Sequence, residues 1–497
     1  MTLLVALPVI LPLATAVAGL LLLSRPRWQA PIGLAGALAL LAAAAALLVR
    51  TWRDGIQVIE IGGWPAPFGI VLVSDMLSAV MVTVAAAVGL AATVYSFRVV
   101  DAGRISAGYY ALIHVLLMGV CGAFLSGDIF NLYVWFEVML MASFVLLVIG
   151  GERPQFEAGL KYVALNLLGS VGFLSGVGLL YGAAGTLNMA DLAVRVGEAD
   201  ADARYYTVVA MLFLVAFGLK AAVFPLYFWL PASYHTAPAP VAALFAGLLT
   251  KVGVYSLLRV FTLIFTQDTG YTRELLLWMS AATMVSGVLG AAAHQDMKRI
   301  LSFHIISQIG YMTMGLALAT PLALGGALFY MVHNIIAKTN LFFVAGVVRR
   351  LRGSYELRDL GGLARAHPWL AAAFFVSAFS LAGVPPLSGF FAKFIMVRAA
   401  IETREYAVAG VMLGVGLLTL FSMVKIWTEA FLKPSPGGAV SEGAVGVASW
   451  VPVIAFALLA IAMGVGAEWW WRPMELAGQQ LFDRTGYIDA VLGGGAR

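Results

Sequence analysis

The chain has 497 residues, of which 62% are hydrophobic and 11% are charged, and its 30 Lys+Arg against 25 Asp+Glu give a formal net charge of +5. A soluble domain carries about 25% charged residues, so this composition excludes an ordinary soluble protein and is typical of a membrane protein. The basic residues lie in short loops between apolar runs, which favours a role in membrane orientation over nucleic-acid binding. With one cysteine, Cys121, neither an intrachain disulfide nor a thiolate metal cluster can form.

The apolar residues form long runs, each near the ~20 residues with which an α-helix spans a bilayer. The spans of a β-barrel are shorter and alternate in polarity, which these runs do not. We therefore predict an all-α polytopic membrane protein with about fourteen transmembrane helices. The predicted helices cover residues 2–23, 28–49, 72–97, 107–127, 129–149, 158–183, 205–230, 238–260, 274–293, 300–318, 322–347, 367–397, 406–432 and 448–467.

Two segments outside the predicted helices have patterns of their own. Residues 54–71 alternate in polarity and contain Gly-Gly and Pro, which predicts a small β-hairpin on the outer surface. Residues 468–497 contain a run of tryptophans followed by Arg472, which predicts an interfacial anchor. The densest group of basic residues extends from Arg349 to Arg365. Since cytoplasmic loops are rich in Lys and Arg, we place this group in the cytoplasm and both termini outside the cell membrane.

A faint internal repeat relates two interrupted helices. The sequence VFPLYFW at 223–229 resembles VPPLSGF at 384–390, which aligns Pro225 with Pro386 of the Pro385-Pro386 pair. Paired interrupted helices in two halves indicate a transporter site near the middle of the membrane. We predict N-terminal helices with the outer hairpin at 1–105, a first repeat at 106–265, a second repeat at 266–432, and a C-terminal helix with an interfacial tail at 433–497.

Ionisable residues deep inside apolar runs are the most informative feature. Glu137, Lys220, Lys251, Lys338 and Lys393 lie near the middle of predicted helices, where a charge costs about 2.5–3.5 kcal/mol even on the lenient insertion scale. A static scaffold of ion pairs is the alternative interpretation, but one glutamate cannot neutralise four lysines. Burial and like charge disfavour the charged form of an amine, so such lysines can exchange a proton near neutral pH. A row of them linked by water is a candidate proton relay, with the carboxylate as its switch.

Neighbouring residues extend this candidate relay. His333 shares a predicted helix with Lys338 and is a further relay candidate, with a hydrogen-bonded core histidine as the alternative. Helix breaks at Pro225 and at Pro385-Pro386 expose backbone carbonyls and admit water, which suits a proton path.

Other polar residues of the apolar runs have plainer interpretations. Arg259 and Lys425 lie nearer helix ends, where their side chains can reach the membrane surface, so we predict structural roles for both. Asp128 and Asn131 precede Glu137 and serve either the outer side of the relay or only a helix cap. The inner half of one run is compatible with a water entry path, since it contains Ser302, His304, Ser307 and Gln308.

Motifs for cofactors are missing from the sequence. It has no Walker loop, no dinucleotide-binding GxGxxG unit and no His or Cys set with metal spacing. Its six histidines are scattered and do not suggest the axial ligand pairs of haem. We expect no cofactor, so an ion gradient or a partner must drive the protein.

Several long stretches of the chain carry a family resemblance: GDIFNLYVWFEVMLMASFVLLV at 127–148, MVHNIIAKTNLFFVAG at 331–346 and LAGVPPLSGFFAKF at 381–394, together with residues 218–259 and 294–315. They resemble the proton-translocating antiporter-like subunits of respiratory complex I and its relatives, and among them are most similar to the D-type subunits of multisubunit Mrp-type sodium/proton antiporters. The resemblance implies two inverted five-helix repeats, each containing a broken helix, and a pairing of Glu137 with Lys220. It also places Lys251, Lys338 and Lys393 on a central hydrophilic axis.

One position departs from the pattern of these subunits. Asn334 stands where we expect many relatives to have the His of an H-x-x-x-K pattern, so His333 or water must provide that link. The resemblance also implies that the chain works only in a hetero-oligomer with other small membrane subunits, transporting Na⁺ and H⁺. Two alternatives stay open: a proton-pumping subunit of an NADH:quinone or related redox complex, and a scaffold subunit whose buried charges only bind neighbours.

Overall fold

The computed structural model describes residues 2–198, 203–267, 269–435 and 446–493, most of which are helical. The predicted all-α fold is therefore confirmed. The helices are α1 (Leu7–Leu21), α2 (Pro26–Asp54), α3 (Met76–Ser96), α4 (Ala102–Ser106), α5 (Tyr109–Leu125), α6 (Ile129–Val148), α7 (Arg153–Ala184), α8 (Met189–Glu198), α9 (Ala203–Ala221), α10 (Trp229–Ser233) and α11 (Ala239–Leu244). They continue with α12 (Thr250–Leu263), α13 (Thr269–Ala293), α14 (Met297–Leu318), α15 (Pro321–Arg352), α16 (Leu363–Ala366), α17 (Pro368–Ala382), α18 (Ser388–Glu402), α19 (Tyr406–Ile426), α20 (Val447–Val465), α21 (Ala467–Phe482) and α22 (Thr485–Leu492).

Each apolar run of the sequence contains one or more of these helices. In the described part of the chain, eleven helical stretches are long and apolar enough to cross a membrane, and α1, α5 and α17 are shorter apolar helices. The run predicted at 367–397 is divided between α17 and α18, and the run at 205–230 is divided between α9 and α10. The number of helices that cross the bilayer and the boundaries of the two repeats stay predictions.

The first helix break follows α9 at Pro225. Proline has no backbone N–H and restricts the residue before it, so the helix cannot continue through this position. Neighbouring groups satisfy the polar atoms that the break releases: the Phe224 amide donates to Thr283 Oγ1 on α13 (2.8 Å), and Trp229 Nε1 donates to the Leu219 carbonyl (2.9 Å). The break is thereby fixed by hydrogen bonds inside the protein.

The second break separates α17 from α18 at Pro385-Pro386, as predicted. Here the carbonyl of Ala382, the last residue of α17, accepts a hydrogen bond from Lys393 Nζ at 2.7 Å. The two breaks are therefore stabilised differently, the first by an uncharged indole and the second by an ionisable amine.

The predicted outer hairpin is a two-stranded antiparallel sheet of β1 (Gln57–Glu60) and β2 (Val71–Ser74). Gln57 pairs with Ser74 and Glu60 with Val71, so the second strand begins at the last residue of the predicted segment and extends beyond it. The Asp75 carboxylate then caps α3 by accepting from the Ser78 amide at 2.9 Å.

Helices α12, α14 and α15 form the centre of the bundle. Helix α15 packs against α14, α17, α18, α20 and α21, and nearly all residues along its apolar length are buried. The C-terminal segment predicted as an anchor contains α21, which packs against α15, and α22, which packs against α8. Its last residues, 494–497, lie outside the described part of the chain.

Candidate functional site

Glu137, Ser170 and Lys220 form one end of the predicted row of ionisable residues. Lys220 Nζ on α9 donates to Ser170 Oγ on α7 at 2.9 Å, and the Ser170 hydroxyl donates in turn to Glu137 Oε1 on α6. Lys220 is 5% exposed and its amine lies 5.7 Å from the centroid of the Phe136 ring. The structure therefore brings together the two residues whose pairing the resemblance implied, through a hydroxyl that the sequence analysis did not name.

The serine can act chemically as more than a spacer. A hydroxyl has one proton to donate and lone pairs with which to accept, so it can receive a proton from an amine while passing its own to a carboxylate. The Ser170 hydroxyl also lies 3.2 Å from the Asn166 carbonyl, which is a second acceptor for its proton when it does not face Glu137.

Lys251 begins the second part of the row, in the first turn of α12. It is fully buried, and Nζ donates at 2.5 Å to the carbonyl of Ala246. Ala246 belongs to a π-helical segment, Phe245–Leu249, between α11 and α12. π-Helical turns are rare and occur frequently at functional sites. At Lys251 a side-chain amine binds a carbonyl of that segment.

Lys220 and Lys251 lie on helices that touch. A Cβ atom added at Gly253 on α12 would lie 2.5 Å from the Ala221 nitrogen and 2.8 Å from the Lys220 carbonyl carbon. Only a glycine allows this approach, so Gly253 sets the contact between the end of α9 and the first turns of α12. The described hydrogen bonds do not join the two lysines to each other.

Lys338 and two histidines continue the row at the centre of the bundle. Lys338 Nζ donates to the Leu301 carbonyl at 3.0 Å, and its charge interacts with that of Lys251. His304 on α14 and His333 on α15 both interact electrostatically with Lys338 and with Lys393. Lys338 therefore lies between Lys251 on one side and the two histidines on the other.

His333 and Lys393 reach the second helix break. His333 Nδ1 lies 2.9 Å from Ser388 Oγ, at the first residue of α18, and Ser388 Oγ lies 3.0 Å from Ser380 Oγ on α17. Lys393, in the second turn of α18, has its amine 5.6 Å from the centroid of the Tyr311 ring. Both residues thus connect α15 and α14 to the two arms of the broken helix.

Several buried polar atoms at this centre have no protein partner among the described residues. Polar atoms inside proteins are nearly always hydrogen-bonded, to the protein or to ordered water. Such atoms need partners from outside the protein chain, such as ordered water. In the described residues the side chain of Asn334 makes no hydrogen bond to the row. In the described residues these atoms include both ring nitrogens of His304, Nε2 of His333 and of Gln308, both amide atoms of Asn334, and the hydroxyls of Thr250 and Thr339.

The structural role predicted for Arg259 has a different basis from the one expected. The side chain is 3% exposed and does not extend to the membrane surface; it forms an ion pair with Asp75 at 2.5 Å. Its guanidinium also lies 4.9 Å from the centroid of the Tyr487 ring. The prediction that Arg259 snorkels is wrong because a buried carboxylate at the start of α3 provides its counter-charge. No local pattern points to this partner, which lies 184 residues away in the chain.

Three other polar residues are placed clearly. Lys425 is half-buried and donates to the carbonyls of Ala292 (2.9 Å) and His294 (2.7 Å) at the end of α13. Lys298, which precedes the helix predicted at 300–318, is 2% exposed and donates to the Ala237 carbonyl at 2.6 Å. Asp128 caps α6 by accepting from the Asn131 amide at 2.7 Å, which was the plainer of its two interpretations.

The fold and the site define a class: a polytopic helical membrane protein with two broken helices and with several amines, histidines and one carboxylate inside its helical bundle. A family model described as NADH:quinone oxidoreductase/Mrp antiporter, transmembrane, matches residues 126–419. The chain is 46% identical to the D-type Na(+)/H(+) antiporter subunit of Alkalihalophilus pseudofirmus, over 98% of this chain and 99% of that one. The chain belongs to this antiporter family, and the resemblance drawn from its sequence is confirmed.

Solved structures agree with the family. A chain in the structure of the Mrp complex from Dietzia sp. DQ12-45-1b superposes with a TM-score of 0.93 at 34% identity, covering 99% of this chain and 100% of the other. A chain of the archaeal membrane-bound sulfane sulfur reductase superposes with a TM-score of 0.92 at 27% identity, covering 98% and 99%. Both neighbours are parts of multisubunit membrane complexes.

Proposed function

We propose that this protein is the proton-translocating D-type subunit of a multisubunit Na⁺/H⁺ antiporter, a secondary transporter and not an enzyme. The single observation that carries the proposal is the Glu137–Ser170–Lys220 contact at the head of a buried row of amines. The A. pseudofirmus relative is named as a Na(+)/H(+) antiporter subunit and matches over nearly its whole length. Its name supports Na⁺ and H⁺ as the transported ions.

The row works as a relay of proton acceptors. A proton on Lys220 moves to Glu137 through the Ser170 hydroxyl, which leaves Lys220 neutral and able to accept another proton. Lys251, Lys338, His333 and Lys393 supply the proton that Lys220 then accepts, through water at the polar centre. Glu137 sets the charge at the first lysine, because a carboxylate beside an ammonium stabilises it and a protonated carboxyl does not.

The subunit acts inside a hetero-oligomer with other small membrane subunits. We place it in the plasma membrane with both termini outside, because the basic group from Arg349 to Arg365 is the densest in the chain. Cysteines introduced at Arg25 and at Trp64 in the complete complex test this topology. A membrane-impermeant maleimide applied to intact cells should label Trp64→Cys and spare Arg25→Cys, and the reverse pattern contradicts the orientation.

A test of transport uses everted membrane vesicles that carry the complete complex, with the internal pH followed after sodium is added. Glu137→Gln and Lys220→Ala should each abolish the sodium-dependent pH change while native gels show a normal amount of complex. Full activity in both variants contradicts the relay, and a loss of complex in both supports the scaffold alternative.

The redox alternative also has an observation in its favour, the likeness to a chain of the sulfane sulfur reductase. Mass spectrometry of the complex purified through this subunit separates the two proposals. Membrane subunits without flavin or iron–sulfur proteins support the antiporter, and their presence in stoichiometric amounts supports the redox complex.

A further inference from the structure

A cavity of ≈300 Å³ lies between α18 and α19, beside the second helix break. Its rim is formed by Phe394, Leu413 and Leu417, which are 55%, 59% and 69% exposed on the apolar side of the bundle. Its volume is at the lower end of the range of about 300–1,000 Å³ that is usual for small-molecule sites. The cavity is therefore open to whatever surrounds the helices.

Lys393 lines the inner part of this cavity. A Cβ atom placed at Gly416 would lie 3.6 Å from Lys393 Nζ and 3.9 Å from the Tyr311 hydroxyl, so the glycine leaves the amine accessible from the cavity. In the described residues the amine has a backbone carbonyl and the Tyr311 ring as neighbours, and no carboxylate forms an ion pair with it. The site thus combines an apolar wall with one amine that lacks an anionic partner.

The depth of the cavity limits the kinds of anion that can reach it. Leu413 and Leu417 lie in the middle of α19, far from both ends of a helix of membrane-spanning composition. A phospholipid phosphate stays at the membrane surface, whereas a protonated carboxylic acid is neutral and enters the hydrocarbon. Charge complementarity and depth together favour a single-chain carboxylic acid.

We propose that the cavity binds a long-chain fatty acid, with its carboxyl group at Lys393 and its chain along Leu413 and Leu417. The neutral acid enters from the bilayer and transfers its proton to the neutral amine, which leaves a carboxylate paired with an ammonium. The effect on transport rests on the proposed function: a lysine held in this pair leaves the relay, so the fatty acid inhibits proton movement.

Binding is measured on the intact complex in lipid nanodiscs, using palmitic acid with a photoreactive diazirine in its chain. Mass spectrometry should find the label on the segment of α19 around Leu413 and Leu417. Excess palmitic acid should remove it, and hexadecanol, which has no carboxyl group, should not.

Two substitutions on α19 form a matched pair. Gly416→Leu fills the cavity beside the amine, whereas Gly414→Leu adds the same side chain where nothing lies within 4 Å of a Cβ atom. Gly416→Leu should lose the label and Gly414→Leu should retain it. Leu413→Trp is the substitute variant if Gly416→Leu does not assemble. It lies at the exposed rim, where it narrows the entrance without requiring space inside the cavity, and it should also lose the label.

Equal labelling of the matched pair overturns the proposal, and so does competition by hexadecanol. Either result would mean that the label reports general contact with lipid chains and not binding of a carboxyl group at Lys393. Absence of the label from α19 in the assembled complex also overturns it, since a neighbouring subunit then covers the cavity. The labelling experiment measures binding and does not depend on transport. Its result therefore stands even if the proposed relay is wrong. If both proposals hold, palmitic acid slows wild-type transport and slows Gly416→Leu transport less.

Discussion

The Ser170 hydroxyl is the part of the site whose removal gives the sharpest test. Ser170→Ala deletes one oxygen that accepts from Lys220 Nζ at 2.9 Å and donates to Glu137. Alanine is the best helix former, so α7 is not weakened by the change. The substitution removes the link between acid and amine and leaves both ionisable groups in place.

The size of the effect follows from the two contacts. A hydrogen bond to a charged group contributes about 1.5–3 kcal/mol, and each 1.36 kcal/mol of barrier changes a rate about tenfold. Losing one such contact during proton transfer should therefore slow sodium-driven proton exchange about ten- to a hundredfold. Ser170→Thr keeps the hydroxyl and should retain more activity than the alanine variant.

Everted vesicles with the complete complex provide the assay, with the rate of pH change after sodium addition as the readout. Ser143→Ala is the matched control, because Ser143 is a buried serine of α6 whose hydroxyl lies 2.6 Å from the Tyr162 hydroxyl and contacts neither relay residue. Wild-type exchange by Ser170→Ala, at a normal level of complex, refutes the view that the hydroxyl conducts the proton. Equal losses in both serine variants point to packing instead.

Three further predictions concern the same interior. Asp75→Ala leaves Arg259 buried without its counter-charge, which should cost about 3–5 kcal/mol and lower both the thermal midpoint and the yield of complex; Glu60→Ala, an exposed acid of the same hairpin, should change neither. Gly253→Ala should separate α9 from α12 and reduce exchange, whereas Gly178→Ala, with open space around a Cβ atom, should behave as wild type in the same vesicles. His333→Ala should slow exchange without loss of complex, and unchanged rates would assign His333 to the core.

The membrane helices and both breaks could be predicted because their signals are local. A run of apolar residues near 20 in length identifies a membrane helix whatever its neighbours are, and proline ends a helix through its own ring and missing N–H. The same holds for the hairpin at β1 and β2. Each of these features depends on residues close together in the sequence.

The partners of the buried charges could not be predicted, because they come from distant helices. Ser170 is one of several small residues on α7, and only the packing of α7 between α6 and α9 makes it the bridge between Glu137 and Lys220. Arg259 was assigned to the membrane surface from its place in the run, although Asp75 is buried beside it. A charged side chain in an apolar run shows that a counter-charge or water is needed. It does not show which residue provides the counter-charge.

The two halves of the row differ in a way that assigns them different tasks. Asp75 is already paired with Arg259, so among the described residues Glu137 is the carboxylate that contacts the row, and it does so at one end. From Lys251 to Lys393 the amines bind backbone carbonyls, which stabilise a positive charge less than a carboxylate does. Three ammonium groups so placed repel one another, and a proton added at one site favours release at the next. In the relay that we propose, the first half therefore gates the proton, and the second half passes it on by repulsion.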